Sequence, residues 1–253
     1  MARIYAIANQ KGGVGKTTTV VNLTAYLAGS GRRVLLVDMD PQANATSALG
    51  FDKKQMQPST YQLLLEQAPL DSVRRQGQFQ IDLLPSHPAL AGAEVELVQA
   101  IGREYRLQRA LQSVAADYDY ILIDSPPSLG LLTVNALTSA DFFIIPLTPD
   151  YLSLEGLVNL MEAVEKIRAG IGGKVAAPLG ILLTLADYRL NVTEEIGRMI
   201  RGHYGRLVFK TEIRGNVRLK EAPSFGKTIF EYDNGSAGAD AYRNLTKEVL
   251  QRI

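Results

Sequence analysis

The residues best equipped for chemistry form one run near the start of the chain, Asn9-Gln10-Lys11-Gly12-Gly13-Val14-Gly15-Lys16-Thr17-Thr18-Thr19. Its glycines let backbone N–H groups converge on phosphate oxygens, and a helix opening at Lys16 adds a positive dipole end at the same point. Lys16 supplies a point charge for the outer phosphates of a nucleotide. The hydroxyl of Thr17 suits Mg²⁺, a hard cation that prefers oxygen. The generic phosphate-loop pattern has glycine where this chain has Gln10, so the strict form is not met. A second lysine, Lys11, stands instead just ahead of the paired glycines. The plain alternative is a solvated glycine-rich turn. An apolar run before the loop and a helix-length segment after it argue against that.

Carboxylates supply the second group. Asp38 and Asp40 fall in Val37-Asp38-Met39-Asp40-Pro41-Gln42, and Asp124 closes the apolar run Tyr120-Ile121-Leu122-Ile123-Asp124 before Ser125-Pro126-Pro127. Residues two apart share a side of an extended strand, so Asp38 and Asp40 would face one way if the strand continues. An Asp-Pro turn is the ordinary alternative at Asp40, and simple strand termination at Asp124.

These residues need a scaffold, and the chain reads as alternating strands and helices. Arg3–Ala8, Arg33–Asp38, Tyr120–Asp124, Phe142–Leu147 and Leu179–Thr184 are short apolar runs, as strands covered on both faces require. Helix-length segments lie between them at 16–28, 103–115, 131–139, 153–169 and 192–203. This alternation predicts an α/β fold, a doubly wound, mostly parallel sheet flanked by helices. Ligands in such folds sit beyond the carboxyl ends of the strands, where the loop, Asp38 and Asp124 fall. The polar stretch 53–80 reads as helices or loops over the sheet edge. Residues 236–253 read as a closing helix whose stripe Ala241, Leu245, Val249, Leu250 packs on the core. No linker or repeat divides residues 1–253, which read as one domain.

Composition narrows the chemistry. The 253 residues are 46% apolar and 21% charged, with a net charge of +1. Without cysteine there is no disulfide, thiolate metal site, iron–sulfur cluster or cysteine nucleophile. His87 and His203 lie far apart and lack a carboxylate or histidine at ligand spacing. No apolar run approaches the ~20 residues of a membrane span, and the start resembles no export signal. A cytoplasmic protein is expected.

The run Lys11-Gly12-Gly13-Val14-Gly15-Lys16-Thr17-Thr18 is similar to the deviant Walker A motif of the ParA/MinD ATPases, a branch of the P-loop NTPases. Val37–Gln42 resembles that family's switch I, and Tyr120–Pro127 its Walker B strand and switch II. Leu154-Glu155-Gly156-Leu157 and Asn216–Ser224 resemble later ParA blocks, so the likeness spans nearly the whole chain. It implies a single ATPase domain over residues 1–253 that hydrolyses ATP with Mg²⁺. The expected ATP-binding residues are Lys11, Gly12, Gly13, Val14, Gly15, Lys16, Thr17 and Thr18, with Asn216 at the base. Mg²⁺ would involve Thr17, Asp38 and Asp124, and Asp40 would place the attacking water. The resemblance puts Lys11 across a homodimer interface on the partner's nucleotide, a finger supplied in trans. Gly12 would lie where two loops meet.

Residues 198–220 hold Arg198, Arg201, Arg206, Lys210, Arg214, Arg218 and Lys220 against Glu212 alone. Such a cluster can bind the phosphate backbone without reading sequence, by counterion release. A solvated face is the ordinary alternative. The resemblance favours nonspecific double-stranded DNA and points to Arg189 and Arg218, with Arg214 and Lys220 beside them. It also implies a ParB-like DNA-bound activator and a nucleoid-associated location. Eight residues before the loop leave no space for a helix-turn-helix, so operator-reading relatives are set aside. A MinD-like membrane ATPase is the nearest rival, but 240–253 carries acidic residues and no Phe or Trp, unlike an amphipathic anchor. An amidoligase-like synthetase would need a substrate pocket, for which no motif stands out. A tyrosine kinase would want a terminal tyrosine cluster. Two departures from the family stand out: Thr148-Pro149-Asp150-Tyr151 where relatives often have Gln-x-Glu-Tyr, and Gly215 before Asn216.

Overall fold

The apolar runs become the interior of one twisted sheet in the computed structural model, which describes residues 1–77 and 80–252. Gln78, Phe79 and Ile253 lie outside the described residues, so the readings of 53–80 and 236–253 are followed only up to them. The strands are β1 (Arg3–Ile7), β2 (Val34–Asp38), β3 (Arg75–Gln76), β4 (Ile81–Leu84), β5 (Tyr120–Asp124), β6 (Phe142–Leu147), β7 (Ala177–Ala186) and β8 (Ile213–Arg214). Their order is β3-β4-β2-β5-β1-β6-β7-β8. Only the β3–β4 pair is antiparallel among the described residues.

Each interior strand feeds two cores because alternate side chains point to opposite faces. On β2, Leu35 and Val37 enter one core, and Val34 and Leu36 the other. The first core is covered by α3 (Thr60–Leu65), α5 (Leu90–Glu96), α6 (Arg106–Gln112), α7 (Leu131–Ser139), α8 (Tyr151–Gly170) and α9 (Asn191–Tyr204). The second is covered by α1 (Lys16–Gly29), α2 (Asn44–Ala48), α11 (Ile229–Tyr232) and α12 (Ala237–Gln251). Two short helices, α4 (Leu70–Val73) and α10 (Val217–Glu221), complete the set.

The closing helix packs as its stripe predicts: Leu245 and Val249 are buried, and Ala241 and Leu250 partly so. The polar stretch 53–80 holds α3, α4 and the edge strand β3, up to the undescribed pair. The segment 103–115 differs from its reading: it opens with a 3₁₀ turn at Arg103–Tyr105, and α6 is only seven residues long. The side chain of Asn135 holds the carbonyl of Arg103 and the N–H of Leu107, fixing that bend from α7.

The chain leaves β1 toward β2 and leaves β6 toward β7, in opposite directions along the sheet. That divergence opens a crevice above the carboxyl ends of β1 and β6, the usual ligand position in such folds.

Candidate active site

The loop between β1 and α1 lies over this crevice. Gly13 and Gly15 adopt φ of 74° and 83°, a left-handed backbone that glycine reaches without steric penalty. Gly15 ends the loop as the N-cap of α1, which has no side-chain cap and no acidic residue in its first turn. The first N–H groups of α1 are thus suited to an anion. Neighbouring strands hold the loop in place. Asn9 Nδ2 donates to the Pro146 carbonyl at 2.7 Å, its Oδ1 accepts from the Lys11 N–H at 3.0 Å, and Thr184 Oγ1 donates to the Val14 carbonyl at 2.8 Å.

The two loop lysines go to different places. Lys16 is buried, and its Nζ donates to the carbonyl oxygen of Lys11 at 3.0 Å. Burial lowers the pKa of its ammonium, while Asp124 and Asp40 work to raise it. Lys11 reaches across the crevice instead. Its Nζ lies 2.9 and 2.8 Å from the two carboxylate oxygens of Asp150 and 2.9 Å from Ser153 Oγ. Burial works to raise the pKa of Asp150, but Lys11 and the hydroxyls of Thr148 and Ser153 hold it at about 2. Asp150 is also the N-cap of α8, accepting from the Ser153 N–H at 2.9 Å.

Asp38 and Asp124 pair in register at the ends of β2 and β5, both fully buried. Thr17 Oγ1 donates to Asp124 Oδ2 at 2.7 Å, while Asp124 Oδ1 has no protein partner. Burial first, and then repulsion from Asp38, push the pKa of Asp124 well above the carboxylate range. Burial likewise pushes Asp38 up to about 6, against three donors that favour its charged form. Those donors are the Asp40 N–H at 3.1 Å and the Thr46 N–H and hydroxyl at 2.8 and 2.7 Å. Asp40 is buried, with Oδ1 accepting from the Gln42 N–H at 2.9 Å. Two raised carboxylates, an orphan oxygen and a threonine hydroxyl fit a hard divalent cation. Among the described residues, no three His, Cys, Asp or Glu side chains are arranged to hold a metal alone. The donor set therefore suits Mg²⁺ carried with a phosphate group, its shell completed by phosphate and water oxygens.

Comparison with known proteins shows the family. A family model described as an AAA domain matches residues 2–176. The chain is 48% identical over 250 residues to the sporulation initiation inhibitor protein Soj of Bacillus subtilis, covering 98% of each chain. It is 46% identical over 253 residues to the chromosome partitioning protein ParA of Myxococcus xanthus, covering 100% of this chain and 89% of that one. The chain belongs to the ParA/Soj family of partition ATPases. A solved structure described as cobyrinic acid a,c-diamide synthase from Mycobacterium smegmatis, with ADP and magnesium bound, superposes with a TM-score of 0.86. It is 36% identical, covering 99% of this chain and 95% of that one. As a ParA/Soj protein the chain is an ATP hydrolase using ATP and Mg²⁺. No helix among the described residues is long and apolar enough to cross a membrane.

Other ParA-like positions border this cluster or lie beyond it. Thr17 and Thr18 line a cavity of about 380 Å³ with Asn22, Ser224 and Lys227. Asn216 instead lines a groove of about 830 Å³ with Arg189, Arg214 and Lys220. Its Oδ1 caps α10 by accepting from the Leu219 N–H at 3.2 Å. The groove therefore joins the expected base contact with three of the four expected DNA residues. Arg218 lies on α10 outside the groove lining, 3.1 Å from Glu221 and 3.5 Å from Asp233.

The basic run is more neutralised than its sequence indicates. Arg189 is 2.5 Å from Asp187, Arg198 is 3.3 Å from Glu194, and Arg201 is 2.5 Å from Glu212. Arg214 lies over the ring of Tyr188 at 5.3 Å. A count over 198–220 misses Asp187, Glu194 and Glu221 because they lie just outside that window beside their arginines, and Asp233 because the fold brings it to Arg218. Sequence reasoning also missed Thr46, Ser86 and the Lys11–Asp150 pair, since each depends on contacts between distant segments.

Proposed function

We propose that this ParA/Soj ATPase closes, when ATP-bound, into a dimer that sandwiches two nucleotides and grips double-stranded DNA without reading its sequence. Hydrolysis releases it. The observation that carries this reading is the position of Lys11, drawn across the crevice to Asp150 beside a surface with exposed Tyr151 and Leu152. A second copy would cover that apolar flank and receive the lysine. Mg²⁺ carried with the nucleotide would supply charge neutralisation at the phosphates, and Thr17 and Asp124 would hold it, with Asp38 supporting its shell. Lys16 and the first N–H groups of α1 would hold the phosphates. Asp40 places the attacking water, and Lys11 completes the partner's site. Residues 1–253 act as one ATPase domain, with Asn216 near the base.

Arg189, Arg214, Arg218 and Lys220 form the DNA face, which pairing doubles, so ATP switches DNA affinity without altering protomer charge. A ParB-like DNA-bound protein stimulates turnover. The apolar stripe of α12 is committed to the core, which favours DNA over a membrane as the dimer's platform. The test is gel filtration and nonspecific DNA retention with ATP, ADP and no nucleotide. Dimer and DNA retention should appear together, and only with ATP. Turnover that ignores DNA but requires a carboxylate substrate would favour an amide-forming synthase instead.

A further inference from the structure

The loop carrying Asp40 is held by buried hydroxyls from outside it. Ser86 follows β4, and its Oγ donates to the backbone carbonyl of Asp40 at 2.7 Å. The Ser86 N–H donates to Thr46 Oγ1 at 3.0 Å, and that hydroxyl donates onward to Asp38 Oδ2 at 2.7 Å. The circuit closes through Asp38 Oδ1, which accepts the Asp40 N–H at 3.1 Å. Ser86, Thr46 and Asp38 are each 0% exposed. Both backbone groups of Asp40 are thereby fixed, its N–H by Asp38 and its C=O by Ser86 together with the Ala43 N–H at 2.8 Å.

We propose that Ser86 and Thr46 are positioning residues for ATP hydrolysis, joining β4 to switch I so that the Asp40 carboxylate is aimed before nucleotide arrives. The proposal rests on the reading of Asp40 as the residue that places the attacking water. A water-placing group works only within a narrow range of distance and direction, and a shift of about 1 Å can lower the rate by about a hundredfold. Asp40 is followed by Pro41 in a turn with two local ties, the Gln42 N–H on its Oδ1 at 2.9 Å and the Ala43 N–H on its carbonyl at 2.8 Å. Both ties move with the turn itself, and the anchor to the sheet comes from Ser86 after β4, which is paired with β2. The Ser86 hydroxyl reaches the backbone and leaves the Asp40 side chain free to face the substrate.

The test compares Ser86→Ala, Ser86→Thr, Thr46→Val and Thr46→Ser with the parent protein. Fluorescent ATP-analogue binding, single-turnover hydrolysis with DNA present, and amide exchange at Gln42 and Thr46 are measured. Ser86→Ala and Thr46→Val should bind nucleotide within twofold of the parent, turn over at least tenfold more slowly, and exchange faster at the two amides. Ser86→Thr and Thr46→Ser, which keep the hydroxyl, should recover most of the rate. Placed on Asp40→Ala, Ser86→Ala should cause no further loss. Should Ser86→Ala fold poorly, the near-isosteric Thr46→Val and its serine counterpart decide the matter. Parental turnover in Ser86→Ala and Thr46→Val, or a rate loss that the hydroxyl-keeping variants do not recover, overturns the proposal. If Asp40→Ala itself keeps parental turnover, the water-placing reading fails first. If Asp40→Ala is inactive while Ser86→Ala is not, only the relay fails.

Discussion

Lys11 and Asp150 are joined across the crevice, with ammonium and carboxylate 2.8 and 2.9 Å apart, although 139 residues separate them. On the proposed dimer reading, Lys11 would have to leave this contact to reach the partner's nucleotide. The side chains are 35% and 43% exposed, so the pair contributes only about 0.2–1 kcal/mol.

Asp150→Asn keeps the shape and removes the charge. It should tighten ATP-dependent dimerisation by roughly two- to fivefold, matching that energy. Sedimentation with a non-hydrolysable ATP analogue across protein concentrations measures this. An unchanged dimer constant would show that the pair does not restrain Lys11. Lys11→Ala should bind ATP normally and lose turnover.

Lys16 and Asp40 should separate binding from chemistry. Lys16→Ala removes the charge for the outer phosphates and should abolish nucleotide binding in calorimetry. Asp40→Ala should bind ATP, persist as a dimer and lose turnover by at least ~100-fold. Wild-type turnover in Asp40→Ala would exclude its role in placing water.

Ligand-free stability should depend on pH through Asp38 and Asp124. Below about pH 4 Asp38 is protonated folded and unfolded, so its protonated state supports the fold fully. Between the ordinary aspartate value of 3.8 and the folded value of about 6, the unfolded chain loses the proton first. Stability therefore falls as pH rises through that window, by up to roughly 3 kcal/mol from this group. Asp124, also pushed well above the carboxylate range by burial, adds to the decline. Urea denaturation from pH 4 to 8 should show the fall, and Asp124→Asn should reduce it. Asp150, held at about 2, acts in the opposite sense and in a lower window, losing its contribution as pH drops below 4. Parallel curves for parent and Asp124→Asn would rule out this origin.

The DNA face should respond in both directions. Arg218→Glu should keep ATP-dependent dimerisation and weaken DNA retention at least ~10-fold, with a shallower dependence on salt. Asp187→Asn releases Arg189 and should tighten retention. If neither variant moves DNA affinity, the contacts lie elsewhere.

Interior strands were the most legible part of the sequence. Tyr120–Asp124 and Phe142–Leu147 match their apolar runs residue for residue, because strands covered on both faces need apolar residues throughout. β4 was hidden by its four-residue length behind a polar stretch, and β8 has only two residues. β7 runs beyond its apolar centre to Ala177–Ala186 because pairing with β6 supports its start and pairing with β8 its end. The phosphate loop was legible because glycine, lysine and threonine must stand in a fixed local order. Lys11's tie to Asp150, the carboxylates beside the DNA-facing arginines and the grip of Ser86 on Asp40 were not. The ties of Lys11 and Ser86 join segments brought close by the sheet order, which no local pattern records, whereas Asp187, Glu194 and Glu221 are near neighbours of their arginines that a count over 198–220 cut off.

The bond from Lys16 Nζ to the Lys11 carbonyl makes the two lysines one mechanical unit. An ammonium has three donors, so Lys16 can meet an arriving triphosphate while it still holds the peptide that carries Lys11. On the proposed reading, that tie would let a filled pocket set the backbone of the reaching arm before a second protomer docks.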